Sequence, residues 1–115
     1  MPYLSIQTNS ALRDEQQTEL LDAASKIVAS QLGKPENSVM ASFVPATRMR
    51  FAGEESHTAF LELSSIGMPD SKRNPLVSAL TDLVARTCEI KPERIFVVLA
   101  DIQAQFWGAN GAAIA

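Results

Sequence analysis

Three residues of the chain could meet to move a proton. Pro2 follows the initiating Met1, and a methionine before so small a residue is usually removed. Removal leaves a secondary amine with no side chain to shield it. An α-amino group has a pKa of roughly 7.7–8.0. An apolar pocket and a nearby ammonium both disfavour the protonated form and lower that value. Each unit of lowering corresponds to about 1.4 kcal/mol of differential interaction. A lowering of a few units leaves the nitrogen neutral at pH 7, able to take a proton and return it. Lys34 can supply the ammonium, hold a carboxylate and stabilise an enolate. The N–H of Ile66 is a second candidate donor. With Met1 attached, the Pro2 nitrogen is an amide and no base.

An internal repeat supplies the elements that would position these groups. Lys34-Pro35-Glu36 recurs as Lys91-Pro92-Glu93, a spacing of 57. The same spacing pairs Leu4 with Leu61, Ile6 with Leu63, Thr8 with Ser65, Ile27 with Val84 and Val39 with Phe96. Each half reads strand, helix, strand. Leu4, Ile6 and Thr8 alternate with Tyr3, Ser5 and Gln7, a strand period. Residues 13–32 place Leu20, Ala24, Ile27 and Val28 on one helical face. Gly33 ends that helix and Pro35 prevents its return. Val39 to Val44 is the next strand, and Pro45 to Glu55 a polar connection. In the second half, Thr58 to Ile66 is a strand. Asn74 is expected as N-cap and Pro75 in the first turn of a helix carrying Leu76, Leu80, Leu83 and Val84. Arg94 to Asp101 is the last long strand. Asn110-Gly111 marks a tight hairpin in the tail.

The expected fold class is α/β, a single domain over residues 1–115 with repeats at about 1–44 and 58–101. Two βαβ units form a four-stranded mixed sheet with two helices on one face, plus a short C-terminal hairpin. Residues 95–100 and 39–44 carry apolar side chains on both faces, and a sheet buried on both sides needs a second cover. Other copies of the chain are the expected cover, giving a cyclic homo-oligomer. The loop after the first helix returns to the edge where the first strand begins, which brings Lys34 to Pro2. An in-plane twofold runs the third strand antiparallel to the first, so Ile66 ends at the same edge. Phe96 begins its strand at the opposite edge and would join this pocket only from a neighbouring subunit.

Plainer roles exist for each residue. Lys34 could be a cation at a helix C-terminus, and Lys91 occupies the same place in the repeat. Gly33-Lys34 is no phosphate loop, since the upstream glycine and following Ser or Thr are missing. The 115 residues carry a net charge of −3, with 46% hydrophobic and 20% charged residues. That balance argues against nucleic acid and against anionic membrane surfaces. One cysteine, Cys88, and one histidine, His57, give no internal disulfide and no usual zinc site, so no metal is expected. The N-terminus lacks the basic and apolar regions of a signal peptide, and the expected location is cytoplasmic.

Several segments, in order, resemble the macrophage migration inhibitory factor family of the tautomerase superfamily. They are Met1-Pro2 opening a strand that ends Gln7-Thr8-Asn9, Gly33-Lys34-Pro35, Ser65-Ile66-Gly67, Lys91-Pro92-Glu93-Arg94 and Trp107-Gly108-Ala109-Asn110-Gly111. The resemblance implies a homotrimer with active sites between subunits. It implies cofactor-independent keto–enol tautomerisation of phenylpyruvate-like or dopachrome-like enolisable carboxylates. The family's catalytic proline falls on Pro2, its substrate-binding lysine on Lys34 and its backbone donor on Ile66. Phe96 and Val98 fall where animal members usually carry a tyrosine and an asparagine, so the pocket wall loses two polar groups and an altered substrate preference is expected. The family's CxxC element falls on Thr58 and Leu61, so no redox side-activity carries over. Phe106 and Trp107 fall on the pocket rim. Animal members also act as secreted cytokines, which implies secretion without a signal peptide. Two alternatives stand beside the isomerase: a non-catalytic, cytokine-like interaction protein on the same trimeric fold, and a small-ligand sensor in which Lys34 only binds an anion.

Overall fold

A computed structural model describes residues 1–45 and 47–115. In chain order the elements are β1 (Tyr3–Thr8), α1 (Asp14–Leu32), β2 (Met40–Val44), β3 (Ala59–Ile66), α2 (Arg73–Cys88), β4 (Ile95–Ile102), β5 (Gly108–Ala109) and β6 (Ala112–Ala113). The main sheet has the order β2-β1-β3-β4. β1 and β2 are parallel, β3 and β4 are parallel, and the two pairs meet antiparallel through β1 and β3. Leu4 sits opposite Leu63 and Ile6 opposite Leu61, as an in-plane twofold between the halves requires. No helix among the described residues is long and apolar enough to cross a membrane.

Both helices bury their apolar stripes on the same side of the sheet. Leu20, Ala24 and Val28 of α1 and Leu76, Leu80 and Val84 of α2 share one core with Leu4, Ile6, Leu61 and Leu63. Thr8, the polar end of β1, stays buried because its hydroxyl donates to the Thr58 carbonyl at 2.6 Å. The repeat holds, but its register changes within each half. The first strands match at a spacing of 57, whereas the helices match at 56: Leu20 with Leu76, Ala24 with Leu80 and Val28 with Val84. The helix ends follow the same shift. The Lys34 N–H reaches the Ala29 carbonyl at 3.0 Å, and the Ile90 N–H reaches the Ala85 carbonyl at 3.2 Å. Ile90, not Lys91, is therefore the counterpart of Lys34.

Other differences from the sequence expectation are local. α2 begins at Arg73, so Asn74 lies inside its first turn rather than at its cap, and Pro75 lies in the first turn as expected. The first four helical N–H groups have no partner within the helix, so Pro75 costs no hydrogen bond there. The uncovered face of the sheet is not apolar throughout. Ser5 and Gln7 of β1 and Glu62 and Ser64 of β3 line its middle, and its exposed apolar side chains sit on the edge strands, at Met40, Val44, Phe96 and Val98. The tail forms the expected hairpin around Asn110 (φ 52°) and Gly111 (φ 84°), and β5 and β6 pair only with each other.

The connection between the halves is fastened by Arg94. Its Nε donates to the His57 carbonyl at 3.0 Å, and its Nη2 lies 3.2–3.3 Å from the carbonyls of Phe51, Glu54 and Ser56. The guanidinium also lies over the Phe51 ring, 5.2 Å from its centre. Arg94 is buried, so its removal leaves carbonyls short of a donor. Arg94→Ala should lower the unfolding free energy by about 3 kcal/mol in urea titrations, the range expected when a charged hydrogen-bonding partner is lost.

Candidate active site

Local chain geometry brings three of the candidates to one edge. Gly33 takes the left-handed conformation (φ 63°) that closes α1. Lys34 follows at once, and its ammonium donates to the Ile66 carbonyl at 3.0 Å. Ile66 is the last residue of β3. The turn beyond it is pinned by Asp101, whose Oδ1 accepts from the N–H groups of Gly67 and Met68, both at 3.1 Å. Pro2 precedes β1 and is fully buried. Its carbonyl accepts from the Met40 N–H at 3.0 Å, which ties the start of the chain to β2. The Ile66 carbonyl is thus engaged by Lys34, and the Ile66 N–H is the group the sequence offers as a donor to substrate.

Met1 precedes Pro2 in this structure and is 45% exposed. Even there, the terminal amine is held below its ordinary pKa. Burial is the largest cause, followed by the charge of the Lys34 ammonium and direct contact with it. Each of these disfavours a second cation at this edge.

Pro2 opens on a cleft of about 730 Å³. Met1, Met40, Ile102, Phe106 and Trp107 give it apolar walls, and Tyr3, Ser38, Ser42, Ser64 and Asn110 supply polar groups. Phe106 and Trp107 are rim residues, as the sequence suggested. The sequence reading missed Tyr3 and Ser42, although strict alternation from Leu4 already turned Tyr3 to the uncovered face. An apolar cleft with a few polar groups is the usual form of a small-molecule site.

Phe96 and Val98 do not reach this cleft within one chain. Phe96 lies opposite Phe60, which lies opposite Gln7. Gln7 is five residues beyond Pro2, about 17 Å along the strand. Val98 lies level with Glu62 and Ser5, about 10 Å from Pro2 along the strand and two strands across. Both are exposed, at 41% and 46%, and Phe96 packs edge-on against Phe51 with ring centres 4.8 Å apart.

Elsewhere the chemistry is quiet. Burial pushes the Cys88 thiol up to about 11, so it stays protonated and unreactive. Among the described residues, no group of three or more His, Cys, Asp or Glu is arranged to hold a metal.

Comparison with known proteins gives the family and the fold. A family model described as macrophage migration inhibitory factor matches residues 1–115. The macrophage migration inhibitory factor homolog of Brugia malayi is 34% identical over 112 residues, 96% of each chain. The crystal structure of a homologue from Prochlorococcus marinus superposes with a TM-score of 0.93 at 28% identity, covering 98% of this chain and 99% of that one. A further crystal structure, of a protein inactivated by 2-oxo-3-pentynoate, superposes with a TM-score of 0.85 at 26% identity, covering 97% and 95%.

Proposed function

Because the chain belongs to the macrophage migration inhibitory factor family of the tautomerase superfamily, we propose that it is a cofactor-independent keto–enol tautomerase whose general base is the amine of Pro2. The observation that carries this reading is the edge where Pro2 lies buried and the Lys34 ammonium helps to hold the chain's terminal amine below its ordinary pKa. Loss of Met1 moves that amine inward, onto Pro2, which is buried beneath Met1 and lines the cleft. Burial and the Lys34 charge then act on it in the same direction as they act on Met1.

In the proposed reaction a 2-oxo acid lies in the cleft with its carboxylate at Lys34. The Pro2 nitrogen takes a proton from the carbon beside the ketone. Charge accumulates on the ketone oxygen as the enolate forms, and Lys34 stabilises it. The proline ammonium then returns the proton to the oxygen, giving the enol, and ketonisation runs the same steps in reverse. Phenylpyruvate-like and dopachrome-like acids are the substrates assigned. A relative inactivated by an acetylenic 2-oxo acid supports this class, since such an acid combines the carboxylate with an electrophilic carbon for a basic nitrogen to attack. We assign the uncovered sheet face to contacts between copies in a homotrimer, in which Phe96 and Val98 of one copy face the Pro2 cleft of the next.

The pH dependence of kcat/KM tests the base. Only the neutral amine accepts a proton, so activity of Met1-free protein on phenylpyruvate should rise with pH through a single limb. The amine is lowered, so the midpoint should fall below the 7.7–8.0 of an ordinary terminus. Activity that is flat with pH, or a midpoint above 8, would exclude Pro2 as the base.

A second reading, an interaction protein that works through surface contacts without turnover, draws on the exposed apolar side chains of Phe96 and Val98. It gives no account of why an amine should be held below its ordinary pKa at the edge of a cleft.

A further inference from the structure

The cleft beside Pro2 has one polar feature that the proposed proton transfer does not use. The Tyr3 hydroxyl and the Ser42 hydroxyl lie 2.8 Å apart on its wall. Each carries one proton, and the bond between them uses one of the two. One O–H therefore remains to be donated, and among the described residues neither oxygen has another protein partner. Ser38 differs: its hydroxyl is spent on the Pro35 carbonyl at 2.8 Å.

Position gives the pair its role. Tyr3 pairs with Met40 across the β1–β2 ladder, and Ser42 lies opposite Ser5. The Tyr3 side chain therefore leans along β2, away from Pro2 and toward the level of Ser5, which is about 10 Å down the strand from Pro2. Lys34 does not line the cleft itself, but it lies beside the terminal amine of Met1, which does. The same cleft is lined by the apolar Met40, Ile102 and Trp107, with Ser64 level with Tyr3 on the neighbouring strand. A ligand with its acid group near the terminal amine and Lys34 thus runs past these side chains and presents its far end to two hydroxyls.

We infer that the Tyr3–Ser42 hydroxyl pair is the specificity-determining element of this cleft, selecting aryl acids that carry a hydrogen-bonding group at the end remote from the carboxylate. The inference rests on the reading of the Pro2 cleft as the substrate site. It assigns to Tyr3 and Ser42 the polar contact that Phe96 and Val98 do not offer. A part-buried hydroxyl left facing an unsubstituted ring forfeits a hydrogen bond it would make with water, and that loss is the source of discrimination.

The test uses Met1-free protein and two acids that cannot enolise, cinnamate and 4-hydroxycinnamate, with affinities measured by calorimetry. The hydroxylated acid should bind about three- to tenfold more tightly, the equivalent of one net hydrogen bond. Tyr3→Phe should bring that ratio close to one, and Ser42→Ala should reduce it. Ser42→Ala keeps the inference readable if Tyr3→Phe does not fold. A ratio near one in the native chain, or a ratio that survives both substitutions, overturns the inference. Phenylpyruvate turnover is followed on the same samples. Its absence, with the affinity ratio present and lost in the variants, would defeat the tautomerase reading while supporting the recognition role of the pair.

Discussion

Protein that keeps Met1 should turn over phenylpyruvate about 10²- to 10⁴-fold more slowly than protein beginning at Pro2, the range that a positioned general base contributes. The reason is electronic. Acylation of the Pro2 nitrogen by Met1 places its lone pair in a peptide bond, where it is delocalised into the carbonyl. The Met1 amine cannot stand in for it. It is a residue further out on a half-exposed side of the cleft, while Pro2 itself is fully buried. A misplacement of even about 1 Å is enough to cost a large factor in rate. Two preparations of one sequence, distinguished by mass as Met1-retaining and Met1-free, make the comparison without a substitution. Equal rates would end the proposal.

Lys34→Ala should lower kcat/KM for a 2-oxo acid by about 10- to 100-fold, the effect of losing a charge-assisted hydrogen bond to a carboxylate. It should also change the pH profile. The Lys34 charge is one of the causes that hold the terminal amine down, so its removal lets the amine pKa rise. The active form is the unprotonated amine, and the ascending limb should therefore move to higher pH. The two effects separate binding from basicity: the first is read at saturating pH, the second in the midpoint. The fold should survive, because among the described residues the ammonium gives one hydrogen bond to the body of the chain, to the Ile66 carbonyl at 3.0 Å. A variant with unchanged KM and an unmoved midpoint would remove Lys34 from the site.

Much of this arrangement was legible because it depends on backbone direction. A crossover helix returns the chain to the edge it left, and an antiparallel junction brings the end of β3 to the start of β1. Those two facts place Lys34 and Ile66 near Pro2 without knowledge of any side chain. Alternation likewise sorted Leu4, Ile6, Leu61 and Leu63 from their neighbours. What escaped were features set by single residues. The matching Lys-Pro-Glu triplets suggested that Lys34 and Lys91 were equivalent, but the helices and their caps follow a spacing one residue shorter. Lys91 offers no structural precedent for Lys34, and that strengthens the case for a chemical use of Lys34. Tyr3 was visible as an outward residue, yet its bond to Ser42 joins positions 39 apart in sequence. The role of Arg94 was hidden for a related reason, since its partners are carbonyls, which every residue possesses.

The near-twofold plan gives the sheet two ends of similar build, one where β1 begins and one where β3 begins. A polypeptide has a single origin, however, and it lies at only one of them. At the other, the chain enters β3 from Thr58 as continuous peptide, and Ile90 stands where Lys34 stands. Chemistry that depends on a liberated terminus therefore cannot be duplicated along with the architecture. Copying the scaffold within one chain multiplies its framework but not its reactive centres, and more centres come only with more separate molecules.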